Sequence, residues 1–266
     1  MQLMKSILLV CLLALAATSA RAFETLQVQV QDQEINVYLY EPPGNGPFPL
    51  LVLSHGSPRS PEDRLNFGAQ TLHAQAEAYV AAGVAVAVPV RRGYGGSGRY
   101  VEGFGDRPNY YLAGMATADD IDAAIAALST RQEIDAKRVV LMGVSAGGWG
   151  SVAAATRGGV MGVVNFAGGR GSTGLDHVNA EPALISAAAQ YGGASHVPEL
   201  WIYSANDQFF YPALAQALFQ AFANAGGQAT FITAPAFGDD GHRYISDIPD
   251  WRPEVDGFLR KIGFLR

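Results

Sequence analysis

The chain has 266 residues, 49% of them hydrophobic and 16% charged, with a formal net charge of −6. That supply of apolar side chains is ample for a packed domain and excludes a disordered chain. The acidic balance and the absence of any basic run exclude a nucleic-acid footprint, and a single cysteine excludes a disulfide framework.

The chain opens with Lys5, an apolar run Ile7–Ala17 and the small residues around Ala20-Arg21-Ala22. This pattern predicts a secretory signal peptide over residues 1–22, with cleavage after Ala22 or, as second choice, Ala20. The run is shorter than the roughly 20 apolar residues a membrane span needs. Cleavage removes Cys11, so the mature chain would be secreted or periplasmic, free of the membrane and without a disulfide. A single domain over residues 23–266 is expected, without repeats or a long linker.

The alternating segments Leu26–Val30 and Ile35–Tyr40 predict an antiparallel pair at one sheet edge. Pro42 to Pro47 marks a rigid turn. Beyond it, continuous apolar runs at Pro49–Leu53, Val84–Val90, Arg138–Gly143, Val160–Phe166, Glu199–Tyr203 and Ala229–Thr233 read as strands buried on both faces. Their alternation with helical segments predicts an α/β fold: a doubly wound, mostly parallel sheet with helices on both faces. Thr117 followed by Asp119 and Asp120 reads as a helix start whose acids face the dipole. Pro212–Ala225 reads as a helix stopped by Gly226-Gly227, and a docking helix is expected from Pro253 with Val255, Phe258, Leu259 and Ile262 on one face.

Between the run Val139–Met142 and an alanine-rich stretch lies Gly143-Val144-Ser145-Ala146-Gly147. A serine at the apex of a strained strand-to-helix turn needs small residues two positions to either side, and it exposes its Oγ at a helix N-terminus. Such a hydroxyl becomes nucleophilic only when a base takes its proton and a third group orients that base. His242, in the glycine-containing loop after the last strand, is the expected base. Asp207, after the preceding strand, is the expected acid in preference to Asp239 and Asp240, which lie too close in sequence to hold the ring easily. The backbone N–H groups of Ala146 and of Ser57, within Ser54-His55-Gly56-Ser57, are the expected oxyanion donors. His55 is then structural, and His73, His177 and His196 have no supporting context. Arg170 reads as a solvated loop residue rather than a ligand for a substrate carboxylate. Tyr94, Phe104, Tyr110, Tyr111, Trp149 and Phe209 are near enough to line a site, but packing explains each of them. No histidine shows metal-ligand spacing, so neither a metal nor a cofactor is expected.

With these motifs in this order, the chain resembles the α/β-hydrolase superfamily. Gly143 to Gly147 matches its nucleophile elbow, His55-Gly56 its oxyanion loop, and Arg92-Gly93-Tyr94-Gly95-Gly96-Ser97 its glycine-rich loop. The size and pattern are most similar to dienelactone-hydrolase-type proteins, with a weaker likeness to prolyl-oligopeptidase-type catalytic domains. Dienelactone hydrolases proper use a cysteine nucleophile, whereas this chain has Ser145, a difference that favours ordinary esters. The segment Gly168 to Pro198 holds only a short helix and loops, so no large lid is expected. The resemblance implies a serine hydrolase that cleaves small-molecule carboxylic esters through an acyl-enzyme. A serine exopeptidase and a non-catalytic binding protein on the same scaffold are the alternatives, and the oligomeric state is not legible.

Overall fold

The computed structural model describes residues 23–103 and 108–266. The expected signal peptide, Cys11 and Phe104 lie outside them. The described chain builds ten strands and six helices. The strands are β1 (Glu24–Val30), β2 (Gln33–Tyr40), β3 (Phe48–Ser54), β4 (Ala85–Val90), β5 (Ile134–Val144), β6 (Gly162–Phe166), β7 (Ser172–Gly174), β8 (His177–Val178), β9 (Glu199–Ser204) and β10 (Ala229–Ala234). The helices are α1 (His73–Val80), α2 (Tyr110–Leu128), α3 (Ala146–Ala155), α4 (Glu181–Ala194), α5 (Pro212–Asn224) and α6 (Ile248–Lys261).

Eight strands form one sheet in the order β1-β2-β4-β3-β5-β6-β9-β10. The first two pair antiparallel at the edge, with Leu26 opposite Val37, and β2 is antiparallel to β4. Every other pairing is parallel. Successive residues of each central strand feed opposite cores, as the period of two requires. Leu50, Val52, Leu141 and Val163 pack with Ile121, Val152, Leu184 and Leu218 of α2 to α5. Leu51, Leu53, Val140 and Val164 pack with Tyr79 of α1 and with Trp251, Val255 and Leu259 of α6. Two covered faces explain the uninterrupted apolar runs of β3, β4, β6 and β9, which have no exposed position, whereas β10 at the sheet edge exposes Thr230 and Thr233.

Two helix starts differ from the sequence reading. Helix α2 begins at Tyr110, where the Asn109 side chain accepts from the Leu112 N–H at 3.0 Å and caps the first turn. Asp119 and Asp120 therefore sit in the middle of the helix and do not serve its dipole. Asp120 is fully buried against Arg92, with Nε to Oδ1 at 2.5 Å, while Asp119 meets Arg157 at 2.8 Å on the surface. Helix α6 begins at Ile248, and Pro253 lies inside it rather than at its head. Among the described residues, no helix is long and apolar enough to cross a membrane.

The parallel strands all point one way, and the loops leaving their C-terminal ends converge. Ser54, Arg91, Ser145, Ala167 and Ala205 each follow or end one of β3, β4, β5, β6 and β9. This is the edge where a doubly wound sheet gathers functional groups.

Candidate active site

Ser145 links β5 directly to α3 with φ 56° and ψ −124°, a conformation that L side chains avoid. The turn is pinned from both sides. Its N–H donates to Phe166 O at 2.9 Å, and its C=O accepts from Trp149 N at 2.9 Å and from Gly169 N at 3.3 Å. A Cβ on Gly143 would fall 2.5 Å from the carbonyl carbon of Gly147, and one on Gly147 would fall 2.2 Å from Ser54 O. The two flanking glycines are thus imposed by the close approach of β5, α3 and the β3 loop. Strain of this kind costs about 1–3 kcal/mol and survives only where the surroundings over-determine it.

His242 lies in a single-turn 3-10 helix, Gly241–Ser246, after β10. Its Nδ1 is 3.1 Å from both carboxylate oxygens of Asp207. Asp207 is buried, and its Oδ1 also accepts from the N–H groups of Phe209 at 2.7 Å and Phe210 at 2.9 Å. The imidazole stacks on Phe209, with ring centroids 4.0 Å apart and planes 11° apart, and Phe210 meets it edge-on. Ring plane and tautomer are therefore both constrained, since a carboxylate at Nδ1 leaves the proton there and frees Nε2. Ser145 and His242 line one cavity of about 580 Å³.

The competing aspartates do something else. Asp240 Oδ1 accepts from His242 N at 3.0 Å and from Gln208 N at 3.1 Å, tying the acid loop to the base loop. Asn206 adds to this stitching by donating to Gly238 O and accepting from Phe237 N. A Cβ on Gly241 would strike Ser204 Oγ and Asn206 Oδ1 at 2.3 Å, which explains a glycine immediately before the histidine.

On the other side of Ser145, the β3 loop comes close enough that a Cβ on Gly56 would stand 3.2 Å from Ser145 Cβ. Ser57 lines the cavities beside Ser145, and its Oγ accepts from Tyr94 Oη at 2.8 Å. Ala146 opens α3, so its N–H is one of the first-turn donors without an intrahelical partner. Of the two residues expected to supply oxyanion donors, Ala146 follows Ser145 in the chain and Ser57 lines the same cavities as that serine.

Beneath this loop lies a buried charge network that the sequence reading missed. Glu102 accepts from Arg91 Nε at 2.6 Å, Arg170 Nη2 at 2.8 Å, Tyr94 Oη at 3.0 Å and Thr117 Oγ1 at 2.9 Å. Arg91 also donates to the carbonyls of His55 and Gly56. Burial alone would raise the Glu102 carboxyl, but Arg170 and Arg91 hold it well below the carboxylate range. Burial and then the Glu102 charge push Tyr94 up to about 12, which keeps its hydroxyl a donor. His55 has the structural place expected of it: its buried ring accepts from Arg91 N at 3.2 Å, and burial with Arg91 drives its pKa well below 6.5. Arg170 is the correction here. It is 8% exposed and bound to Glu102, not solvated. Adjacent Arg91 and Arg92, directly after the apolar run of β4, were the available sign, since neither is placed to reach water without leaving the sheet end.

A sequence model of the prolyl oligopeptidase family matches residues 71–171, which include the elbow. No curated protein matches the chain in sequence. Among solved structures, the chain is similar to a Mycobacterium tuberculosis puromycin-hydrolysing peptidase, at TM-score 0.68 and 18% identity over 91% of this chain but 40% of that one. A Pyrococcus horikoshii acylaminoacyl peptidase gives TM-score 0.68 and 16% identity over 90% of this chain and 41% of the other. A Pyrococcus furiosus esterase gives TM-score 0.63 and 14% identity over 90% of both chains. The fold is that of the α/β-hydrolases. Of the two likenesses within that superfamily, the prolyl-oligopeptidase one is the one the family match meets. The chain spans about two fifths of the length of the two peptidases.

Proposed function

We propose that this protein is a serine hydrolase acting on carboxylic esters, with Ser145 as nucleophile, His242 as base and Asp207 as the acid that orients it. The observation that carries this reading is the Asp207–His242 contact at 3.1 Å, opening onto a cavity shared with a serine held at φ 56°. Ser145 Oγ attacks the acyl carbon as His242 Nε2 takes its proton. The Ala146 and Ser57 N–H groups stabilise the oxyanion, and water then releases the acyl group by the same route. No cofactor enters the scheme. The partner is a small molecule rather than a nucleic acid, and the leader pattern over residues 1–22 supports a secreted or periplasmic location.

Peptide bonds are the second reading, favoured by the family match and by the two peptidases. Esters are preferred on the chemistry of the walls: no Asp or Glu lines either cavity at Ser145 among the described residues, so a free α-amine has no partner there. The test is labelling with a fluorophosphonate, followed by rates on benzyl esters and on aminoacyl amides. Label located on Ser145 and faster ester turnover are expected. Label elsewhere, or none, overturns the nucleophile, and faster amide cleavage reverses the order of the two readings.

A further inference from the structure

Ser145 opens onto two cavities of opposite chemistry. The larger, of about 580 Å³, lies on the His242 side and is walled by Phe67, Leu72, Val144 and Ile245. The smaller, of about 130 Å³, lies on the Ala146 side and is walled by Arg59, Arg64 and Arg170, with no carboxylate among the described residues. His242 lines only the larger one.

This partition sorts the two ends of a substrate. The departing alcohol receives its proton from the base, so it must lie where the base stands. That side is roomy and mostly apolar, with Arg243 as its one arginine among the described residues, against three in the smaller cavity. The acyl group is left the small cavity, whose walls are cationic.

Arg59 is engaged by Ser172, Gly174 and the Phe209 ring, but the other two arginines are short of partners among the described residues. Arg64 has no ion pair among the described residues, its Nε is buried without an acceptor, and its guanidinium lies 3.6 Å over the Tyr100 ring. Arg170 gives Nη2 to Glu102 and Thr117, but its own buried Nε has no acceptor among the described residues. Among the described residues, Arg91 and Arg170 share the single carboxylate of Glu102, two guanidinium groups to one counter-ion. A buried cation and unpaired guanidinium N–H groups are costly until an anion meets them. Planar carboxylates are the anions that a guanidinium fits best at this size.

We infer that the acyl group of the substrate ends in a carboxylate held by Arg64 and Arg170, and that the site cleaves monoesters of short dicarboxylic acids with apolar alcohols. The inference rests on the roles proposed above for Ser145, Asp207 and His242. Ser145 Oγ bonds to the ester carbonyl carbon, and the bond from that carbon to the alcohol oxygen breaks. The alcohol leaves with the proton His242 took from Ser145. Water adds to the acyl-enzyme, so one water is consumed and a dicarboxylate, an alcohol and a proton are released.

Three probes test it on the purified chain: monobenzyl succinate, benzyl butanoate, and the butanoate ester of 4-(hydroxymethyl)benzoic acid, which moves the carboxylate to the alcohol. Monobenzyl succinate should exceed benzyl butanoate in kcat/KM by roughly tenfold to a hundredfold, the range for a charge-assisted pair. Most of this difference should lie in KM, and the third ester should be slowest. Arg64 sits on a partly exposed 3-10 turn, Glu62–Asn66, so Arg64→Gln should fold and bring the ratio of the first two probes towards one. Equal rates on the first two, preference for the third, a preference that survives Arg64→Gln, or labelled Ser145 with no turnover of monobenzyl succinate each overturn this assignment and leave the nucleophile in place. Failure of all three esters together with no fluorophosphonate label on Ser145 overturns the hydrolase reading itself.

Discussion

The two flanks of Ser145 are held by different forces. On the acid–base flank, Asp207 and His242 are positioned by backbone N–H groups, by the side-chain caps of Asn206 and Asp240, and by the Phe209 ring. These partners come from two loops, after β9 and β10, that lie side by side. On the oxyanion flank, the β3 loop rests on Arg91, Glu102, Arg170, Tyr94 and Thr117, which come from three separate segments: the connection after β4, α2 and the loop after β6. A flank whose carboxylates are met mostly by backbone N–H groups tolerates the loss of one partner better in stability than a flank of buried ion pairs, where each removal strands another ion.

The largest effect should come from the acid. Asp207→Asn is expected to lower kcat by about 10⁴, because an amide no longer holds the imidazole in the productive tautomer. Steady-state kinetics on benzyl butanoate measures it, with circular dichroism as the check on folding. A loss under tenfold would remove Asp207 from the mechanism and return the question to Asp239 and Asp240.

Next is the charge network. Glu102→Gln leaves Arg91 and Arg170 buried without their counter-ion, and breaking such a pair costs about 3–5 kcal/mol. The pH dependence has a definite sign. The Arg170 and Arg91 charges outweigh the burial of Glu102 and depress its folded pKa below the ordinary 4.5. The contribution of Glu102 to stability is therefore complete above about pH 4.5 and is lost as pH falls below it. Urea unfolding should show the largest gap between wild type and Glu102→Gln at neutral pH, narrowing in acid. A gap that widens in acid would mean the carboxyl is not ionised in the folded protein.

A smaller effect is expected at Asp240. Its Oδ1 serves two backbone N–H groups, so Asp240→Asn should keep both bonds, while Asp240→Ala loses them at about 1–2 kcal/mol. Activity should follow the same order, with Asp240→Asn near wild type. An inactive Asp240→Asn with intact folding would show that its charge acts on His242 directly.

What the sequence disclosed follows the same division. Strand cores were legible because β3 to β6 and β9 are buried on both faces, and apolar runs have no other reading at that length. Ser145, Asp207 and His242 were singled out by turn chemistry and chain order, and the structure puts Asp207 against His242 and Ser145 in a strained turn. The α2 start was misread because Asn109 is a weaker mark than Thr117 with its following acids, whose true partners, Arg92 and Arg157, are distant in sequence. Arg170 was misread for the same reason. Its partner Glu102 is 68 positions away, and no local pattern announces a pairing set by the convergence of β4 and β6.

The smallest effect concerns the residue that joins the two flanks. Inside a helix or strand, glycine is less stable than alanine by about 0.5–1 kcal/mol, because the unfolded chain gains freedom. At Ser145 the backbone is fixed at φ 56° and ψ −124° by Phe166 O on one side and by Trp149 and Gly169 N–H on the other. Alanine would keep the Cβ and with it the strain, whereas glycine adopts this conformation freely. Both variants lack the hydroxyl and should be inactive, so activity does not separate them. Stability should: Ser145→Gly is expected to exceed Ser145→Ala by several tenths to about 1 kcal/mol, opposite to the order within helices and strands. Thermal unfolding of the two variants reads the sign directly. Alanine as the more stable variant would mean that the elbow relaxes once the serine is gone, and that neither flank alone holds it strained.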